Sequence, residues 1–295
     1  MDLNQAGVIG NPVSHSLSPV MHNAAYKHLG LDWKYEAIEL KEPNVGEQII
    51  NLFDQGVKGL NVTMPYKEIA FDISQPHGQA ARLGTVNTLI KAQDGSIHGH
   101  STDGQGFINF LQSEDIELKG KTVLVIGAGG ASKSICDALE KARANVFVTA
   151  RKLEASMVIV KTIVARRIQN QLDSHGSIDV LEFSQRHDFL DSCDIVVNAT
   201  PVGMTINGKN SSDMPINIDK LKSNHVLVDT IYHPVQTALV KAAEDKGAKA
   251  FNGIGMLVHQ GALAFNLITG EQAPIEVMAQ AIISKLNESS QENDN

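Results

Sequence analysis

Two groups of residues in this chain have types and spacings suited to chemistry. The first is Gly127-Ala-Gly-Gly130, followed by Ala131 and preceded by the apolar, β-branched run Lys121-Thr-Val-Leu-Val-Ile126. Glycines in such a turn leave the backbone bare, so main-chain N–H groups can approach a diphosphate at the positive end of the next helix. The third glycine position of G-x-G-x-x-G holds Ser132, which is small enough for close helix-to-strand packing. The second group is polar and scattered. It comprises Ser16 and Ser18 around Leu17, Thr63 and Lys67 beyond one strand, Asn87 within another, Asp103, Tyr232 and Gln260. Paired serine hydroxyls are neutral donors suited to an anion such as a carboxylate. A lysine in the first turn of a helix opposes the helix dipole, so Lys67 asks for a reason to be there beyond solvation.

Several of these residues also have an ordinary structural explanation. Ser18 precedes Pro19 and suits a helix N-cap, as Asp103 does before Gln105. Asp103 also falls at the junction of two expected domains, where pockets tend to form, and both readings stay open. Gln260 is a polar residue in a mostly apolar helix, and either has buried partners or faces water.

The elements that must position these residues alternate between strand and helix. Strands are expected over 5–9, 33–40, 59–63, 84–90 and 96–100, with helices over 19–29, 45–53 and 105–111, and Asp94-Gly95 as a hairpin turn. Beyond the glycine turn, strands follow at 145–150, 178–183, 194–198, 225–229 and 248–251, with helices at 153–172, 236–246, 253–265 and 274–286. The fold class is therefore α/β, with an open, mainly parallel sheet in the first domain and a dinucleotide-binding sheet in the second. Ligands bind beyond the carboxyl ends of such strands, where Thr63 and Lys67 fall. The second strand of the nucleotide domain ends in Arg151-Lys152, with no acid before Glu154. Arginine there meets a ribose 2′-phosphate, which points to NADP, although NAD stays possible because two bases after a strand are also ordinary surface residues. Segment 207–213 resembles an exposed loop, and 289–295 a disordered polar tail.

Composition narrows the class. A 295-residue chain has room for two cores, and 42% hydrophobic with 20% charged residues is ordinary for a globular protein. No apolar stretch is long enough to span a bilayer, and the N-terminal residues lack a secretion pattern, so the cytoplasm is the expected location. A net charge of −8 without a basic block argues against nucleic-acid partners and fits a small-molecule enzyme. Cys136 and Cys193 lie in apolar elements and suggest no disulfide. His98 and His100 alternate on one strand without a second ligand cluster, so no metal is expected.

Seven ordered motifs then make the chain resemble the shikimate dehydrogenase family. They are Ser16-Leu-Ser-Pro19, Asn61-Val-Thr-Met-Pro-Tyr-Lys67, Val86-Asn-Thr-Leu89, Thr102-Asp-Gly104, Gly127-Ala-Gly-Gly-Ala131, Asp229-Thr-Ile-Tyr-His-Pro234 and Gly253-Ile-Gly-Met-Leu-Val-His-Gln260. The resemblance implies a substrate-binding catalytic domain over 1–103, completed by helices in 253–288, and a Rossmann-type NADP-binding domain over 104–252. It implies the reversible, NADPH-dependent reduction of 3-dehydroshikimate to shikimate, in aromatic amino acid biosynthesis. Lys67 and Asp103 match the family's catalytic pair, with Lys67 exchanging the proton and Asp103 bonding the neighbouring hydroxyl. Ser16, Ser18 and Tyr232 match residues that hold the substrate carboxylate, and Thr63, Asn87 and Gln260 match others lining that pocket. Gly127, Ala128, Gly129, Gly130, Ala131, Arg151, Thr230 and Gly253 fall on cofactor positions. Two departures stand out: Ser101 replaces the usual asparagine before Thr-Asp-Gly, and Ala150-Arg151-Lys152 replaces the common Asn-Arg-Thr. An NAD-dependent quinate/shikimate dehydrogenase shares the catalytic pair and is the alternative. A non-catalytic nucleotide and shikimate sensor, or another glycine-loop enzyme such as a methyltransferase, explains fewer of these residues. The expected partners are small molecules, with monomer or homodimer left open.

Overall fold

The computed structural model describes residues 3–169, 176–205 and 211–293. The described residues divide into two compact units, one formed by those up to Gly106 together with those from Leu257 on, the other by those between Phe107 and Met256.

In the first unit the order is β1 (Asn4–Gly10), α1 (Ser18–Leu29), β2 (Trp33–Glu39), α2 (Val45–Asp54), β3 (Val57–Val62), α3 (Lys67–Asp72), β4 (Gln75–Pro76), α4 (Gln79–Leu83), β5 (Thr88–Lys91), β6 (Ile97–His100) and the start of α5 (Asp103–Ser113), which continues past the boundary at Gly106. Its sheet runs β2-β1-β3-β5-β6-β4. β1 is parallel to β2 and β3, whereas β5 runs antiparallel to both β3 and β6. The β5–β6 pair is closed by the Asp94-Gly95 turn, where Gly95 has φ +87 and Asp94 Oδ1 accepts from Ser96 N–H at 3.0 Å. Ile9, Leu60, Val62 and Leu89 from the sheet pack with Val45, Ile49 and Phe53 of α2 in one core. Strand β5 starts later than the sequence suggests. Upstream of Thr88 the backbone is used as a tether, with Val86 N–H donating to the Lys67 carbonyl at 3.2 Å and Asn87 N–H to the His100 carbonyl at 3.0 Å.

These registers bring one edge together. The carboxyl ends of β1 and β3 lie side by side, the start of β5 faces Asn61 of β3, and Thr88 faces His100 at the end of β6. The segments carrying Ser16, Thr63, Lys67, Asn87 and Asp103 all leave from that edge.

The second unit continues with β7 (Thr122–Ile126), α6 (Gly130–Lys141), β8 (Asn145–Thr149), α7 (Leu153–Gln169), β9 (Ser177–Val180), β10 (Ile195–Asn198), β11 (Val226–Asp229), α8 (Ala238–Asp245) and β12 (Lys249–Phe251). Short 3-10 turns cover Phe183–Arg186, Asp188–Ser192 and Ile218–Lys220. The sheet order is β12-β11-β10-β7-β8-β9 with every pair parallel. The order reverses between β7 and β10, the place where open α/β sheets take ligands. Leu124, Val196 and Leu227 anchor its core. Against β7 and β8, α6 and α7 are joined by ion pairs inside the fold: Arg166 bonds both Asp137 and Glu140, whose side chains are 0% exposed.

Two helices close the described chain, α9 (Ile254–Thr269) and α10 (Ile275–Asn293), and α10 packs on α1. The polar stretch 289–295 falls partly on α10 and partly, at 294–295, outside the described residues. The expected helical residues 170–172 and loop residues 207–210 also lie outside them.

Candidate active site

The first turn of α3 begins at Lys67, and three contacts fix it there. The Tyr66 phenol, almost fully buried, donates to the Leu40 carbonyl at 2.7 Å. Asn11 N–H donates to the Met64 carbonyl at 3.1 Å, tying the loop after β3 to the loop after β1. The Lys67 carbonyl is held by Val86 as described. Lys67 Nζ then lies 2.5 Å from Asp103 Oδ2, with side-chain exposures of 18% and 10%. This is a charge-assisted hydrogen bond in a partly dehydrated place, where it is stronger than on open surface.

Asp103 is the first residue of α5, but its carboxylate is turned away from a capping role. Oδ2 meets Lys67 and Oδ1 accepts from Asn87 Nδ2 at 2.8 Å. Asn87 Nδ2 also donates to Thr102 Oγ1 at 2.9 Å, and Asn87 Oδ1 accepts from Thr102 N–H at 2.8 Å. Gln260 Oε1, on α9, stands 3.4 Å from both Asn87 Nδ2 and Thr102 Oγ1. That approach depends on Gly106, where a Cβ would fall 2.6 Å from the Gln260 backbone. Lys67, Asp103, Asn87 and Gln260 are therefore one cluster, drawn from α3, α5, α9 and the tether that leads into β5.

The serine turn differs from its expected form. The residue at the N-cap of α1 is Leu17, and Ser16 Oγ accepts from Ser18 N–H at 3.3 Å. Ser16, not Ser18, thus supports the start of the helix, and Ser18 is buried as its first residue. Thr63 follows β3 directly and donates its N–H to the Ile9 carbonyl at 2.9 Å.

In the second unit, Gly127 has φ +119, and a Cβ there would lie 2.6 Å from the Ala199 carbonyl oxygen, so fold geometry alone requires glycine. Gly129 is different. Its φ −83, ψ −174 is open to any residue, and an added Cβ would meet nothing within 4 Å. Neither strain nor packing explains glycine at the head of α6. That helix start has no side-chain cap and no acidic residue in its first turn, which leaves its positive end available for an anion. Ser132 is fully buried at the third glycine position.

Arg151 and Lys152 follow β8 and are exposed. Thr230 and Gly253 meet: a Cβ on Gly253 would come within 2.2 Å of the Thr230 carbonyl oxygen, and Gly253 N–H donates to the Ile231 carbonyl at 2.8 Å. Tyr232 is partly buried, and burial pushes its phenol up, keeping it a neutral donor. Three residues earlier in the chain, Asp229 is raised to about 6 by burial, opposed by hydrogen bonds from Thr237, Ile231 N–H and Asn198.

Some features had no clear signal in the sequence. His77 joins His98 and His100, with ring centroids at 4.6 and 5.2 Å, and burial, then charge from its two neighbours, lowers His100. No group of three His, Cys, Asp or Glu among the described residues is placed to hold a metal ion. No helix of the described residues is long and apolar enough to cross a membrane.

Family models match along most of the chain. That of the shikimate dehydrogenase substrate binding domain matches residues 8–89, that of shikimate / quinate 5-dehydrogenase 110–238, and that of the shikimate 5′-dehydrogenase C-terminal domain 253–283. The shikimate dehydrogenase (NADP(+)) of Alkaliphilus metalliredigens is 39% identical over 282 residues, covering 95% of this chain and 96% of its own length. The chain belongs to the shikimate dehydrogenase family. Solved members share the fold. The shikimate dehydrogenase of Aquifex aeolicus superposes with a TM-score of 0.83 at 34% identity, over 95% of this chain and 97% of that one. That of Thermus thermophilus, in complex with NADP(H) and shikimate, gives 0.82 at 30%, over 95% and 99%.

Proposed function

We propose that this protein is an NADP-dependent shikimate dehydrogenase, an oxidoreductase acting on a CH–OH group that interconverts 3-dehydroshikimate and shikimate. The observation that carries the reading is the Lys67–Asp103 pair, joined at 2.5 Å and held from behind by Asn87. Support comes from the relatives' names, NADP(+) for Alkaliphilus metalliredigens, and NADP(H) with shikimate in the Thermus thermophilus complex.

The residues present fit the dinucleotide. Open space at Gly129 leaves the head of α6 accessible, so Gly127 to Ala131 would hold a diphosphate through backbone N–H groups. Arg151 would meet a 2′-phosphate, and Thr230 and Gly253 would lie along the same cofactor. Bound NADP(H) supplies or accepts the hydride at the ring carbon.

The chain's own work is to place and to move one proton. In reduction, Lys67 Nζ donates a proton to the keto oxygen and is recharged from water; in oxidation it takes the hydroxyl proton. Asp103 accepts from the neighbouring ring hydroxyl, which orients the substrate over Lys67. Ser16, Ser18 and Tyr232 donate to the carboxylate, while Thr63, Asn87 and Gln260 bond the remaining hydroxyls. Apart from Tyr232, the residues given substrate work belong to the first unit, and those given cofactor work to the second. The same reading makes small molecules its partners and the cytoplasm its location.

The test is the initial rate of nicotinamide reduction with shikimate and with quinate, each with NADP and NAD. Shikimate with NADP is expected to be fastest, and Lys67→Ala to lower turnover at least about 100-fold with the fold intact. Near-normal turnover of that variant removes lysine from the mechanism. Comparable oxidation of quinate with NAD makes the chain a quinate/shikimate dehydrogenase instead.

A further inference from the structure

Behind the Lys67–Asp103 pair lies a buried polar path whose far end touches neither residue. Tyr35 on β2 is 1% exposed, and its phenol donates to Asn61 Oδ1 at 2.6 Å. Asn61 Nδ2 donates to Thr88 Oγ1 at 3.1 Å and to the Asn87 carbonyl at 3.3 Å. Thr88 donates to Asn87 Oδ1 at 3.2 Å, and Asn87 Nδ2 donates to Asp103 Oδ1.

The direction of this chain is forced. Asp103, as a carboxylate, can only accept, so the Asn87 amide must present Nδ2 to it and Oδ1 to Thr102 N–H and Thr88. Thr88 spends its one proton on Asn87 and so accepts from Asn61, whose Oδ1 then needs a donor. The Tyr35 hydroxyl is that donor. Each link polarises the next in one sense, which strengthens the whole at low dielectric. The site also shows construction at the far end. Asn23 of α1 clamps the Tyr35 backbone in both directions, Nδ2 to the carbonyl at 2.8 Å and Oδ1 from the N–H at 2.9 Å. The ring is fixed by stacking on His22 at 4.1 Å. A phenylalanine would fill this aromatic space equally well, so the hydroxyl serves the path and not the packing.

We propose that Tyr35 and Asn61 are positioning residues for the Lys67–Asp103 pair, acting through Thr88 and the orientation of the Asn87 amide. The kinetic part rests on the reaction proposed above.

The variants are Tyr35→Phe, Thr88→Val and Thr88→Ser. With shikimate and NADP, Thr88→Val and Tyr35→Phe lower kcat about tenfold, the worth of one hydrogen bond felt at the reacting pair, while KM stays within about twofold. Thr88→Ser, which keeps the hydroxyl, retains wild-type kcat. In ligand-free protein, the side-chain amide resonances of Asn87 move in Tyr35→Phe although Tyr35 does not bond Asn87. Wild-type kcat in Thr88→Val, equal loss in Thr88→Ser, or unmoved Asn87 resonances in Tyr35→Phe each overturn the proposal. If the wild-type protein turns over no shikimate, the reaction fails on its own account, and the Asn87 resonances still decide the path.

Discussion

Adding a single methyl group at Gly129 separates what the fold needs at the head of α6 from what a dinucleotide needs there. The local φ −83, ψ −174 suits alanine, and no heavy atom lies within 4 Å of the new carbon. Folded Gly129→Ala is therefore unstrained, and its less flexible unfolded chain gives a gain of about 0.4–1 kcal/mol. For a unit of this size that raises the melting temperature by about 1–4 °C. Gly127→Ala makes the contrast, because φ +119 and the Ala199 carbonyl at 2.6 Å both oppose it, at a cost of about 1–3 kcal/mol. Binding runs the other way for Gly129. The methyl stands between the backbone N–H groups and a diphosphate, and one charge-assisted hydrogen bond lost is about 1.5–3 kcal/mol. NADP affinity should fall roughly 10- to 100-fold. Melting curves without ligand and calorimetric titration with NADP give both numbers. Wild-type affinity in Gly129→Ala would refute the backbone cradle, and a large loss of stability would refute the claim of open space.

Three further outcomes are expected. Arg151→Ala should weaken NADP about 10- to 100-fold in a titration and leave NAD affinity unchanged, since one charged hydrogen-bonding group is removed from the 2′-phosphate alone; equal weakening of both cofactors would place Arg151 elsewhere. His22 is fully buried with neither ring nitrogen bonded, and burial lowers it from 6.5 to about 3. Because the unfolded chain then binds the extra proton, the native state keeps its full stability well above pH 6.5 and loses about 4 kcal/mol on descent to pH 3, roughly 2 of it by pH 5. Urea unfolding should show the gap between wild type and His22→Phe moving by that amount between pH 7 and 5; a pH-independent gap would contradict it. Arg166→Ala leaves Asp137 and Glu140 buried without their shared cation and should cost about 3–5 kcal/mol by the same unfolding method. A loss below about 1 kcal/mol would mean that Lys141 and Arg167 suffice.

Short apolar runs ending at glycine or a polar residue placed the strands well, because strands buried on both faces carry that pattern whatever surrounds them. The glycine loop was equally legible, but the sequence could not say that Gly127 answers to Ala199 while Gly129 answers to nothing in the protein. Local capping logic misplaced the serines. It gave Ser18 the structural role, whereas Ser16 Oγ accepts the Ser18 N–H. For Asp103 the cap and the pocket readings were indistinguishable, since both place a carboxylate at the first turn of α5; only the three-dimensional partners Lys67 and Asn87 separate them. The path from Tyr35 through Asn61 to Thr88 left no local pattern, because these side chains are matched across strands. Arg166 carries no local sign of its role, because its acids lie one helix earlier.

The first unit is split in sequence, and this bears on the order in which the protein can be made. Its sheet is complete once β6 has been synthesised, yet α10, which covers α1, is encoded after the whole of the second unit. The second unit is continuous from Phe107 to Met256, and its parallel sheet can close while the apolar face of α1 is still waiting for its cover. A nascent chain can therefore hold a folded second unit while its first is still incomplete. In that interval a chaperone would find its binding surface on α1, and translation speed through the second unit sets how long that surface is shown.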